Sequence, residues 1–204
     1  MLRRLLLSLA FAALACAPMA ATAAALSAED KAMADSAAAY LQSLGGAQAG
    51  FTQTAPDGSV STGTLYLQRP GKARFAYDPP ALMTIVSDGK TVWLWDGRLK
   101  TLDRAPLSRT PLNILLAQQV RLDRGVKIGR IDRNSEGFAL TAQAAGHESD
   151  GRIAIYFATG AGGRVTALKG WNLTDAQGRT TRVRLDDLSP RSGLSPQLFE
   201  PPRR

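Results

Sequence analysis

Apolar positions along the chain change period near residue 45. From Ser27 to Leu44 the run SAEDKAMADSAAAYLQSL places Met33, Ala37, Tyr40, Leu41 and Leu44 three or four residues apart, which is the spacing of an amphipathic helix. Ser27 suits the N-cap, Asp30 follows three residues on, and Gly45-Gly46 supplies a stop. Alanine on several faces lets this helix lie close to something flat, and a sheet is the expected partner.

Beyond the glycines the alternation has period two, in short runs broken by turn residues. Strands are predicted at 51–54, 61–68, 72–77, 83–87, 91–96 and 98–103, parted by Pro56-Asp57-Gly58, Arg69-Pro70-Gly71, Asp78-Pro79-Pro80, Asp88-Gly89 and Gly97. The second half repeats this grammar at 126–132, 138–142, 152–158, 164–174 and 179–188, for about eleven antiparallel strands in all. Between the two sets, Thr110 can cap a short apolar helix with Pro111 at its first position, running to Gln118. Leu112, Leu115 and Leu116 share one side of it and Ile114 lies elsewhere on the wheel. With no internal repeat and no dividing linker, the economical reading is one mainly β domain.

The N-terminus reads differently. Arg3 and Arg4 precede an apolar stretch from Leu5 to about Ala15, followed by small residues ending at Ala21-Thr22-Ala23. That is the layout of a secretory signal peptide over residues 1–23, with an apolar core too short for an ordinary membrane span. An uncleaved anchor and lipidation at Cys16 are the alternatives; the box before Cys16 is Ala13-Leu14-Ala15, without Leu three residues ahead. Cleavage after Ala23 leaves 181 of the 204 residues, discards the single Cys, and takes the formal charge from +8 to +6.

Composition excludes several chemistries. One Cys and one His remove disulfide frameworks and His/Cys metal sites. His147 stands in a polar stretch without a nucleophile context, Asp186-Asp187 are strand neighbours pointing to opposite faces, and Gly160-Ala161-Gly162-Gly163 joins two strands without opening a helix. The reading is therefore not an enzyme and without a cofactor. The basic charge is no nucleic-acid patch either: Arg182 and Arg184 alternate with Val183 and Leu185, the polar side of a half-buried strand. A modest attraction to anionic surfaces stays open.

What stands out is apolar character on both strand faces. Trp93 and Trp95 alternate with Val92 and Leu94, and Leu65-Tyr66-Leu67 and Phe75-Ala76-Tyr77 are similar, although an antiparallel sheet normally wets one side. Either the sheet curls over a filled core or it encloses an apolar cavity.

The order of the blocks Phe51-Thr52-Gln53-Thr54, Gly63-Thr64-Leu65-Tyr66-Leu67-Gln68-Arg69-Pro70-Gly71-Lys72-Ala73-Arg74-Phe75 and Ile85-Val86-Ser87-Asp88-Gly89-Lys90-Thr91-Val92-Trp93 resembles the periplasmic outer-membrane lipoprotein carriers of the LolA type. The Thr110-Pro111-Leu112 helix start and the Phe199-Glu200-Pro201-Pro202 ending are similar too. The resemblance implies an unclosed antiparallel β-barrel of about eleven strands over residues 24–204, with an α-helical lid over an apolar cavity that receives the acyl chains of lipoproteins. It implies a soluble periplasmic monomer that takes cargo from an inner-membrane ATP-driven release complex and delivers it to an outer-membrane receptor or to the outer membrane directly. Leu65, Leu67, Phe75, Tyr77, Trp93 and Trp95 become candidate cavity residues, and Leu112, Ile114, Leu115 and Leu116 belong to the lid. Arg69 matches the family's arginine before proline, whose implied role is to hydrogen-bond to the lid when the cavity is empty. A carrier or sensor of another lipid or glycolipid on the same scaffold is the competing reading. Pro79-Pro80-Ala81-Leu82-Met83 reads as a buried turn, or alternatively as a loop that inserts into membrane like that of the receptor partner.

Overall fold

The computed structural model describes residues 26–119, 125–146 and 148–202, so the leader segment with Cys16, and His147, lie outside the described residues. The chain forms α1 (Ala28–Ser43), six strands β1 (Gly46–Thr54), β2 (Val60–Gln68), β3 (Lys72–Tyr77), β4 (Met83–Asp88), β5 (Thr91–Asp96) and β6 (Thr101–Pro106), then α2 (Leu112–Leu116). Five more strands follow, β7 (Val126–Arg133), β8 (Gly137–Ala144), β9 (Gly151–Thr159), β10 (Val165–Asp175) and β11 (Thr180–Leu185), with a two-residue β12 (Ser189–Pro190). All pairings are antiparallel, in the order β6-β5-β4-β3-β2-β1-β11-β10-β9-β8-β7, with β12 added beside β1. Among the described residues the end strands β6 and β7 do not pair with each other, so the barrel implied by the resemblance is indeed open.

Register decides which side chains face inward. Ala49, Leu65, Phe75, Ile85 and Leu94 stand opposite one another across β1 to β5, so they share one face. In the other half, Val183, Trp171, Ile155 and Leu140 form the corresponding row. Leu65, Phe75, Val183, Trp171, Ile155 and Leu140 are buried in one continuous apolar cluster with residues of both helices. Burying each large side chain contributes about 1.5–3 kcal/mol.

α1 begins as its sequence suggests: Ser27 Oγ accepts from the Asp30 amide at 3.0 Å. Its stop differs. Leu44 ends the helix in extended backbone (φ −69°, ψ 109°), and Gly46 is needed for a close approach instead, since a Cβ there would run into the Arg191 carbonyl oxygen. β6 starts three residues later than expected because Asp96 Oδ1 accepts from the Arg98 and Leu99 amides, both at 2.9 Å, holding 97–100 in the turn.

α1 is tied to β10 where that strand is irregular. Register shifts between Val165 and Ala167 and between Leu168 and Gly170 take amides out of the ladder. Ser36 Oγ accepts from the Val165 amide (3.1 Å) and Tyr40 Oη from the Leu168 amide (3.2 Å). At the other end of α1, Asp30 pairs with Arg133 of the edge strand β7 at 2.6 Å.

Candidate functional site

The concave face carries two helical covers, and α2 is the one that fills the interior. Leu112, Leu115 and Leu116 face Leu65, Leu67 and Phe75 across a residual cavity of only about 20 Å³, room for one water molecule at most. Ile114 faces the other wall, beside Ala142 and Ile153, at a second void of about 40 Å³. Ile114, Leu115 and Leu116 are consecutive and all buried, so this five-residue helix is apolar on nearly every side.

Such a helix leaves its last carbonyls without intrahelical donors. Here the Leu115, Leu116 and Ala117 oxygens find donors elsewhere in the fold. Arg69 donates from Nη1 to the Leu115 oxygen and from Nη2 to the Ala117 oxygen, both at 2.6 Å. The Gly71 amide donates to the Leu116 oxygen at 2.8 Å, and Gln42 Nε2 donates to the Gln118 oxygen at 3.1 Å. α2 stops short of Gln118: Ala117 is extended (φ −51°, ψ 143°), and the Leu115 and Leu116 oxygens that a further turn would use accept from Arg69 and Gly71 instead. Thr110 does not cap the helix; its hydroxyl donates to the Leu107 oxygen at 2.9 Å. Arg69 is half-buried, and burial holds its pKa below the usual guanidinium value.

The candidate cavity residues divide. Leu65, Leu67 and Phe75 face the interior and meet α2. Tyr77 lies on the same face at one end of the barrel, its hydroxyl donating to Gln53 Oε1 at 2.8 Å, and burial raises its pKa to about 12. Trp93 and Trp95 lie on the opposite, outer face, because the register from Phe75 through Ile85 brings Leu94 inward. Trp93 donates from Nε1 to Asp88 Oδ2 at 2.9 Å and carries the Arg104 guanidinium 5.7 Å above its ring. Val92 and Leu94 take the inward positions.

Sequence reasoning missed Trp171, which is 2% exposed and meets Phe75 edge-to-face at 6.0 Å. With Phe51, whose ring stands 5.6 Å from Phe75 and 5.0 Å from Tyr77, it forms an aromatic line across the interior. Its alternation with Leu173 was the available signal. The Pro79–Met83 connection is no buried turn, since Leu82 is 60% exposed. The C-terminal turn Pro196–Phe199 packs on the outer side of β3 and β4, with Phe199 buried and the Leu198 oxygen accepting from Arg74 at 3.3 Å.

An open antiparallel barrel, an apolar interior stopped by a short helix, and an arginine on that helix's carbonyls together invite comparison with known proteins. The sequence profile of the family described as outer membrane lipoprotein carrier protein LolA matches residues 42–202. The chain belongs to the LolA family. Outer-membrane lipoprotein carrier proteins of Methylococcus capsulatus and Methylobacillus flagellatus are 32% and 27% identical to it, over 79% and 81% of this chain and 79% and 82% of theirs. A domain described as a putative outer membrane lipoprotein-sorting protein from Vibrio parahaemolyticus shares the fold, with a TM-score of 0.51 at 13% identity over 81% of this chain and 94% of that one. LolA proteins are carriers, not enzymes, in keeping with the thin catalytic inventory of this chain. Among the described residues of this LolA family member, no helix is long and apolar enough to cross a membrane, and no group of acidic, His or Cys side chains could hold a metal ion.

Proposed function

We propose that this protein carries lipoproteins across the periplasm by sheltering their acyl chains in the space now filled by α2. The observation that carries the reading is the latched plug: four leucine and isoleucine side chains inside the barrel, held there by donors on their helix's last carbonyls. Acyl chains need such a shelter, because burying them is worth about 0.8 kcal/mol per methylene. Withdrawing Leu112, Ile114, Leu115 and Leu116 costs about 6–12 kcal/mol of apolar burial, which about ten methylenes offset. Cargo thus exchanges with the plug nearly like for like. Arg69 and Gly71 tip the balance toward the empty, closed state, which loosens the grip on cargo and favours its delivery.

On this reading residues 1–23 are the export signal, and the mature chain works as a periplasmic monomer. It takes its cargo from an ATP-driven inner-membrane complex and passes it to an outer-membrane receptor or the outer membrane itself. Depletion tests the reading: lipoproteins should accumulate at the inner membrane, and triacylated proteins should co-purify with the carrier. Co-purification of free lipids without lipoproteins contradicts it. Arg69→Leu should bind lipoprotein and release it poorly; unchanged transfer to outer membranes refutes the assigned role of Arg69.

A further inference from the structure

The Arg69 latch borders an open cleft of about 430 Å³, walled by Arg69, Pro70, Gln42, Gly45, Gln118 and Gln119. Among the described residues no carboxylate lines this cleft and none pairs with Arg69. A guanidinium has five N–H groups. Two of them serve the Leu115 and Ala117 carbonyls, both neutral acceptors. Among the described residues the charge is held in place by dipoles alone, in a half-buried position beside an open recess. A carboxylate is the better partner: hydrogen bonds between two ionised groups are roughly twice as strong as neutral ones, and the planar fork matches both carboxylate oxygens. A carboxylate entering the cleft competes for the same N–H fork. Once Arg69 turns to it, the Leu115 and Ala117 oxygens lose their donors.

We propose that this cleft receives an acidic side chain projected by a protein partner, and that its carboxylate frees α2 by drawing Arg69 off Leu115 and Ala117. The proposal rests on the reading of α2 as a lid closed by Arg69. Arg69 is the one cation among the described residues that wall the cleft, and a recessed cation among amide side chains suits one carboxylate on a projecting chain, whereas anionic bilayers are bound by clusters of several exposed basic residues.

The test uses the mature chain, an acetylated and amidated Gly-Glu-Gly peptide, and its Gly-Gln-Gly counterpart. Two readouts report opening: exchange of the Gly71 amide, which is bonded to the Leu116 oxygen, and uptake of the neutral apolar dye N-phenyl-1-naphthylamine. The expected result is that the Glu peptide at millimolar concentration raises both by about threefold or more, and the Gln peptide changes neither. Arg69→Leu should exchange and take up dye faster than the wild type and be indifferent to either peptide; Arg69→Gln gives the same uncharged comparison should the leucine variant not fold. If the Arg69 variant opens more readily but the wild type responds equally to both peptides, the acidic docking is wrong and the lid reading stands. If the variant exchanges and takes up dye like the wild type, the lid reading itself fails, and the proposal with it. Opening by phosphatidylglycerol vesicles and not by the Glu peptide assigns the cleft to lipid headgroups and overturns the proposal.

Discussion

The two helices cover the same concave face by opposite means. α1 has sixteen residues, a capped start and a polar outer side, and it grips the sheet with side chains: Ser36 and Tyr40 on the β10 amides, Asp30 on Arg133. α2 has five residues, is apolar nearly all round, and is gripped through its own carbonyls by Arg69, Gly71 and Gln42. The difference lies in what each leaves behind on departure. Lifting α1 orphans strand amides at irregular positions in β10, where no neighbouring strand can take them. Lifting α2 returns a few carbonyls to water, which satisfies them as well as the protein did. On the proposed reading, one helix belongs to the wall and the other is a stopper.

The largest test of that contrast is a pair of truncations. Leu41 and Leu115 are both buried, at 1% and 6% exposure. Leu41→Ala should lower unfolding stability by about 2–5 kcal/mol, and Leu115→Ala by less than half as much, because α2 can disengage before the sheet unfolds. Equal losses in urea titrations break the distinction. Next in size, Arg69→Leu removes two charge-assisted bonds and should weaken lid closure by about 2–3 kcal/mol. That loss should appear as faster exchange at Gly71, with the unfolding midpoint little changed.

A third test reads the wall alone. Tyr77 titrates near 12 in the fold against 10 for an ordinary phenol, because its buried ring favours the neutral form. Its contribution is therefore present below pH 10 and lost as pH rises toward 12, a change on the order of 2 kcal/mol. Urea titrations at pH 8 and pH 11 should show about half of this loss in the wild type and in Arg69→Leu, and Tyr77→Phe should reduce it. The smallest effect belongs to Tyr40→Phe, which orphans the Leu168 amide at a cost of about 1 kcal/mol. Exchange should rise at Leu168 and stay unchanged at Gly71.

The strands were legible because inward and outward residues alternate between turn residues, and α1 because its cap and period agree. The face of β5 was not, since Val92-Trp93-Leu94-Trp95 is apolar at every position. Only pairing with Ile85 and Phe75, which no local pattern encodes, turns Leu94 inward and leaves the tryptophans outside. Trp171 was obscured by the two irregularities just before it in β10, which break the period that would have marked it as interior. The latch was beyond reach for a different reason. Arg69 acts on backbone carbonyls 46 and 48 residues away, and a carbonyl carries no side-chain signature. Its role could be anticipated only through the family resemblance.

Three amides test the central claim together. Gly71 reports on α2 through its bond to Leu116, and Val165 and Leu168 report on α1 through Ser36 and Tyr40. Their hydrogen exchange can be followed by NMR with and without a triacylated lipopeptide. A removable stopper on a fixed wall predicts that the lipopeptide speeds exchange at Gly71 and leaves Val165 and Leu168 as they were. Continued protection of Gly71 with the lipopeptide bound, or acceleration of all three amides together, contradicts it.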